Sequence, residues 1–209
     1  MNSRGANWTG WYVGVNAGAS LSQVNAFSPN LPGPDVVVGE LDIAHLGATG
    51  GVQAGFNWQA SPSWVAGLEA DFGHLGIERT VQQWNDQGDA LEVKADWYGT
   101  IRGRLGYTTG PSLLYVTGGA AFVNVKNTFS SFDDFSRSSV PVESSKTATG
   151  WTLGGGIETM LGGNWSAKAE YLYIDAGDAF VNGARFFEKV SFENRFHIYR
   201  AGLNYKLGG

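Results

Sequence analysis

The stretch Asp96–Tyr107, DWYGTIRGRLGY, limits what this chain can fold into more than any other part of it. Read at the period of a β-strand, in which alternate side chains face opposite ways, it separates into two unlike rows. Trp97, Gly99, Ile101, Gly103 and Leu105 form an uncharged row; Asp96, Tyr98, Thr100, Arg102 and Arg104 form a polar one that ends in two guanidiniums. Soluble sheets alternate too, so the pattern alone does not assign a solvent to either face. The arginines do more, because buried guanidiniums need anionic partners, and other segments carry carboxylates at the same spacing.

Seven further segments alternate in the same way. The expected strands lie near 10–19, 51–59, 64–72, 95–107, 113–123, 149–160, 165–174 and 195–207. Their inward rows hold Glu69, Asp71, Arg102, Arg104, Glu158, Lys168, Glu170, Arg200 and Lys206, interleaved with glycine, while their outward rows hold no Asp, Glu, Lys or Arg. A cation at the lipid midplane costs about 2–4 kcal/mol, which gives that absence a cause. Turn signals SPS, TTGPS and LGGN join the strands in pairs, and long polar stretches over 20–48, 73–93, 124–148 and 175–194 join the rest. Strict alternation of long and short connections is the asymmetry of a barrel with extracellular loops at one end and periplasmic turns at the other. The expected fold is therefore all-β: an eight-stranded antiparallel transmembrane β-barrel with four long extracellular loops and three short periplasmic turns.

Large rings supply an independent check. Trp11, Trp58, Trp64, Trp165 and Tyr205 fall at strand ends beside the short turns or the termini, and Phe72, Trp97, Phe122, Trp151, Tyr173 and Tyr199 at the ends beside the long connections. Two belts are what the two membrane interfaces select; a water-soluble core would place its largest rings in mid-strand.

Composition removes competing classes. With 209 residues and no Pro/Ser-rich linker, residues 1–209 read as one domain. A hydrophobic fraction of 43% is too high for disorder, and the 31 glycines show no collagen period. Net charge −5 argues against a nucleic-acid partner, and the lack of Cys excludes disulfides and thiolate metal sites. No run of apolar residues is long enough for a membrane helix, and the mean hydropathy of −0.15 is what half-polar strands would give. The opening MNSRGANWTG has no apolar core of a signal peptide, so export is expected to use a leader absent from this chain.

An eight-stranded barrel is only wide enough for side chains to fill it, so the inward charges are expected to plug the lumen as an ion-pair network. Other readings of these residues are a narrow ion-selective pore and a rim hydrolase. For the latter, Asp71 and His74 are close in sequence, but no Gly-x-Ser-x-Gly occurs, and the chain is read as a non-enzyme with no cofactor.

Five pieces, WTGWYVGVNAG, WYGTIRGRLGY, LLYVTGGAAF, WSAKAEYLYIDAG and RAGLNYKLG, resemble the small outer-membrane β-barrel family of alphaproteobacteria, related in architecture to the OmpA transmembrane domain and the opacity-type adhesins. The resemblance covers most strands and none of the long connections. It implies residence in the bacterial outer membrane among its lipids and lipopolysaccharide, and a role in envelope integrity or in adhesion through the loops to an envelope or host protein. It also implies insertion by the barrel-assembly machinery, whose signal Arg200, Gly202, Tyr205 and Leu207 resemble, although the chain runs on through Gly208 and Gly209 where such chains usually stop at an aromatic. Some members bind haemin, for which His45, His74 and His197 are the available imidazoles, so a haemin or small-ligand receptor is the alternative function. Among the loop aromatics, Phe129, Phe132 and Phe135 are the densest group and the candidate contact surface.

Overall fold

A computed structural model describes residues 7–27, 45–82, 90–133, 138–182 and 189–208. Within them the chain forms β1 (Gly10–Phe27), β2 (His45–Gln59), β3 (Trp64–Gln82), β4 (Ala90–Thr109), β5 (Ser112–Asp133), β6 (Ser138–Gly162), β7 (Trp165–Asn182) and β8 (Lys189–Leu207). Each strand pairs antiparallel with its sequence neighbours, and β1 pairs with β8 to close the barrel. Closure gives every strand two paired neighbours through the membrane-spanning part of the wall.

The short turns fall where the turn residues put them. Gly110 (φ +61°) and Gly163 (φ +58°) each occupy the left-handed region at their tips, which glycine enters without steric cost. At the other end the strands run further than the expected ranges. β5 and β6 stay in register from Ser112↔Thr159 as far as Asp133↔Ser138, so most of the stretch expected as a loop over 124–148 is a paired hairpin. The reason is that backbone hydrogen bonding does not depend on the apolar alternation by which the strands were recognised. That alternation stops where lipid stops, while pairing continues into water. Register slips between His74 and Ile77, Ala95 and Tyr98, and Asp175 and Asp178 mark this transition on β3, β4 and β7.

Burial alternates with the period of the strand. Along β4, Arg102, Arg104 and Tyr98 are buried while Ile101, Leu105 and Tyr107 are exposed. The outward rings pair across strands: Trp11–Phe56, Trp64–Tyr107 and Trp165–Tyr205 at the short-turn end, and Phe72–Trp97 and Trp151–Tyr173 at the other. From Trp64 to Phe72 the rise along a strand tilted by about 40° is about 20 Å, close to the apolar band of a membrane barrel. Among the described residues, none of the outward side chains between the belts is charged.

The lumen is layered. At the short-turn end Trp8, Val65, Leu113 and Tyr115 pack together with Met160 against them. Toward the other end Leu75, Tyr98, Val123, Ile174, Phe196 and Ile198 belong to a second apolar cluster. The charged residues lie between the two.

Candidate functional site

β3, β4, β6, β7 and β8 each place one or two charges into the same cross-section of the lumen. Glu69 and Arg102 are direct register partners on β3 and β4, as are Glu158 and Lys168 on β6 and β7, and Glu170 and Arg200 on β7 and β8. All of these, with Asp71 and Arg104, are at most 7% exposed. Four carboxylates (Glu69, Asp71, Glu158, Glu170) face four cations (Arg102, Arg104, Lys168, Arg200), a formal sum of zero.

Arg102 is the hub. Its guanidinium donates to Glu69, to Asp71 Oδ2 at 2.8 Å and, across the lumen, to Glu170 Oε1 at 3.2 Å. Arg200 donates to Glu170 Oε2 at 2.7 Å and to Asp71 Oδ2 at 3.2 Å. Lys168 donates to both oxygens of Glu69 at 3.0 Å. Arg104 donates to Glu158 Oε2 at 2.7 Å, and the other oxygen of Glu158 accepts from Ser166 at 2.6 Å and Asn204 at 2.8 Å. Burial of eight charges is tolerable only with this degree of pairing, because the desolvation of each exceeds what an isolated contact returns.

Three tyrosines complete the network, and sequence reasoning assigned them no such role. Tyr12 donates to Glu69 Oε2 at 2.8 Å and Tyr115 to Glu170 Oε1 at 2.8 Å, while Tyr98 accepts from Arg200 at 2.9 Å. Arg104 also stands over the Tyr115 ring, 4.1 Å from its centroid. The signal was available: all three stand on the inward phase of their strands, where a phenol can satisfy a carboxylate and fill volume together. Glycine makes the room. A Cβ on Gly55 would meet the Tyr12 hydroxyl at 2.4 Å and the carbonyl of Leu68 at 2.6 Å.

Lys206 does not join the network. It lies at the short-turn rim, half-buried, and donates to the Asn7 carbonyl at 2.8 Å. A strand runs obliquely through the barrel, so its last inward residue reaches the mouth, outside the charged cross-section. Trp8, which precedes the first strand and carries no alternation signal, folds under the lumen; its backbone N–H donates to Gln59 Oε1 at 3.0 Å. Below it an open vestibule of about 330 Å³ is lined by Tyr12, Met160, Asn164 and Lys206 among others.

The other candidates separate. Asp71 points into the lumen and His74 outward, since odd and even positions of β3 face opposite ways, so the two cannot act together at the rim. His197 is also outward, its Nδ1 2.8 Å from the Tyr171 hydroxyl. Of the histidines whose side chains are described, neither points into the barrel; the side chain of His45 lies outside the described residues. No three His, Cys, Asp or Glu side chains among the described residues are placed to share a metal ion. Of the assembly-signal positions, Arg200 lies in the network, Gly202 faces the lumen, and Tyr205 and Leu207 face outward. Phe129 and Phe132 fall on the extended part of β5, paired with Val142 and Ser139; their side chains, and Phe135 altogether, lie outside the described residues.

Comparison with known proteins agrees with this architecture. The family model described as "Outer membrane protein beta-barrel domain" matches residues 1–206. The chain is 40% identical over 209 residues to the 31 kDa outer-membrane immunogenic protein of Brucella melitensis, covering 96% of this chain and 84% of that one. It is 32% identical over 169 residues to the 22 kDa outer membrane protein of Rhizobium leguminosarum, covering 81% and 64%. Among solved structures, the outer membrane protein OprG from Pseudomonas aeruginosa superimposes with a TM-score of 0.54 at 12% identity, covering 97% of this chain and 99% of that one. Neisserial surface protein A does so at 0.50 and 16%, covering 95% and 98%.

Proposed function

From the premise that this chain belongs to the outer-membrane protein β-barrel family, we propose that it is a closed, non-conducting barrel that supports the envelope and meets other molecules through its extracellular hairpins. The observation that carries this reading is what fills the lumen: a neutral network of eight charges held between two apolar layers. A narrow pore would need a continuous wet path, and here a permeating ion would have to displace paired charges and then cross Leu75, Ile174 and Phe196. What remains available for contact is outside the lumen. The strands rise past the outer aromatic belt and present a paired β5–β6 extension that carries Phe129 and Phe132; Phe135 is assigned to the same contact surface on its sequence alone.

Two measurements test this. In planar bilayers the refolded protein passes no current, and a stable single-channel step overturns the closed lumen. In cells, alanine at Phe132 and Phe135 abolishes adherence to the host surface while the heat-resistant folded band on gels persists. Loss of that band instead would assign the two rings to a cap packed over the barrel. On this reading the partners are outer-membrane lipids and lipopolysaccharide along the wall, the assembly machinery at β8 during insertion, and an envelope or host protein at the hairpins.

A further inference from the structure

The periplasmic mouth of the barrel, on the far side from the hairpins, holds a preformed pocket. It is the open vestibule of about 330 Å³ at the short-turn end, at the lower end of the size range of small-molecule sites. Both of its lips are pinned by hydrogen bonds. On one, the Trp8 amide donates to Gln59 Oε1 and the Gln59 amide to Thr9 Oγ1, each at 3.0 Å. On the other, Asn164 Nδ2 donates to the Lys206 carbonyl at 3.0 Å and the Lys206 amide to the Asn164 carbonyl at 2.8 Å. A pocket framed in this way needs little ordering when a ligand arrives.

Three polar groups of its lining are left unanswered by the rest of the barrel. Trp8 and Asn57 both line the vestibule and are each 3% exposed. Yet the indole N–H of Trp8 and the side-chain oxygen of Asn57 have no hydrogen-bond partner, which buried polar groups rarely lack. One is a donor and the other an acceptor. The third group is the Lys206 ammonium, which spends one of its three donors on the Asn7 carbonyl and meets no carboxylate within ion-pairing distance among the described residues. Glu158, the other charged residue of the lining, is already engaged by Arg104, Ser166 and Asn204. The charge that the vestibule offers is therefore positive. Met160 adds an apolar wall.

We propose that the vestibule binds the carboxy-terminal end of a short periplasmic peptide. The terminal carboxylate sits at Lys206, the carbonyl of the last amide at the Trp8 indole N–H, the N–H of that amide at Asn57 Oδ1, and a small apolar side chain against Met160. An ammonium takes a carboxylate through a charge-assisted hydrogen bond. An amide carries an acceptor on one edge and a donor on the other, which is what an indole N–H and a side-chain carbonyl oxygen together require. A bare carboxylate would leave Asn57 unanswered, and an organic cation would meet the charge of Lys206. Proteolytic fragments end this way in L form and cell-wall stem peptides in D form; the terminus they share is the ligand.

The test is titration calorimetry of the full chain refolded in detergent micelles, with N-acetyl-alanyl-alanine in its L,L and D,D forms, the carboxamide of each, and acetate. The wild type binds the free acid of one handedness or both, the preferred form naming the source. It binds the matching carboxamide roughly tenfold more weakly, the worth of a charge-assisted hydrogen bond. K206Q brings the acid down to the level of the carboxamide and leaves the carboxamide unchanged. W8F, which keeps an aromatic ring and removes the N–H, weakens acid and carboxamide alike, by about fivefold. Equal binding of acid and carboxamide by the wild type overturns the assignment, as does failure of every peptide to bind. Acetate binding as tightly as the dipeptide acid would mean an anion site alone and overturns it too. Should W8F lose its heat-resistant folded band on gels, K206Q, at the rim, decides.

Discussion

Neighbouring residues of β4 meet opposite surroundings. Arg102 is 1% exposed among three carboxylates, and Ile101, one position earlier, is 61% exposed on the lipid wall. The lumen tolerates charge because every charge is answered; the wall tolerates none because hydrocarbon answers nothing. A second contrast lies within the lumen, where the network is specified by geometry across several strands and the apolar layers above and below only by shape. The lesson is that removing a charge from an inward position and adding one to an outward position of the same strand should both cost stability, for opposite reasons.

The strongest way to break this contrast is Arg102→Leu. It leaves Glu69, Asp71 and Glu170 short of their shared counter-charge, and a broken buried pair costs about 3–5 kcal/mol; the urea midpoint of the barrel in lipid vesicles should fall accordingly. An unchanged midpoint would mean that the network is not what fills the lumen. The mirror change, Ile101→Arg, puts the same group on the wall near mid-membrane and should cost about 2–4 kcal/mol in the same assay. Full tolerance of Ile101→Arg would place water, not lipid, on that face.

Two glycines sharpen the contrast at smaller scale. Gly55→Ala drives a methyl into Tyr12 and the Leu68 carbonyl and should cost about 1–3 kcal/mol, with loss of the Tyr12–Glu69 bond. Gly103→Ala, outward on β4, meets nothing nearer than the Gly118 carbonyl at 4.0 Å and should stay within about 0.5 kcal/mol. The smallest effect is expected at Lys206→Gln. That residue is at the rim and outside the network, so the midpoint should move by less than about 0.5 kcal/mol; a loss comparable to Arg102→Leu would return Lys206 to the network.

Much of the barrel is legible in the sequence. Side-chain direction along a strand is a local property with period two, so the rows of β4, the carboxylates of β3 and the ring belts could be assigned from spacing alone, and charge-free rows named their solvent. The strand ends were legible only as far as lipid imposed alternation, which is why the β5–β6 hairpin read as a loop. The charges of the candidate site were legible as a set; their pairing was not.

The chain's own sequence thus determined which side chains face inward and that their charges must find one another. Tertiary structure decided who meets whom. That Arg102 reaches Glu170 across the lumen, that Trp8 folds beneath it, that Lys206 falls outside it and that an apolar layer closes the top all depend on closure and on the register of β1 against β8. Those are properties of the whole ring of strands, set by backbone hydrogen bonds between residues far apart in the chain, and no single segment carries them.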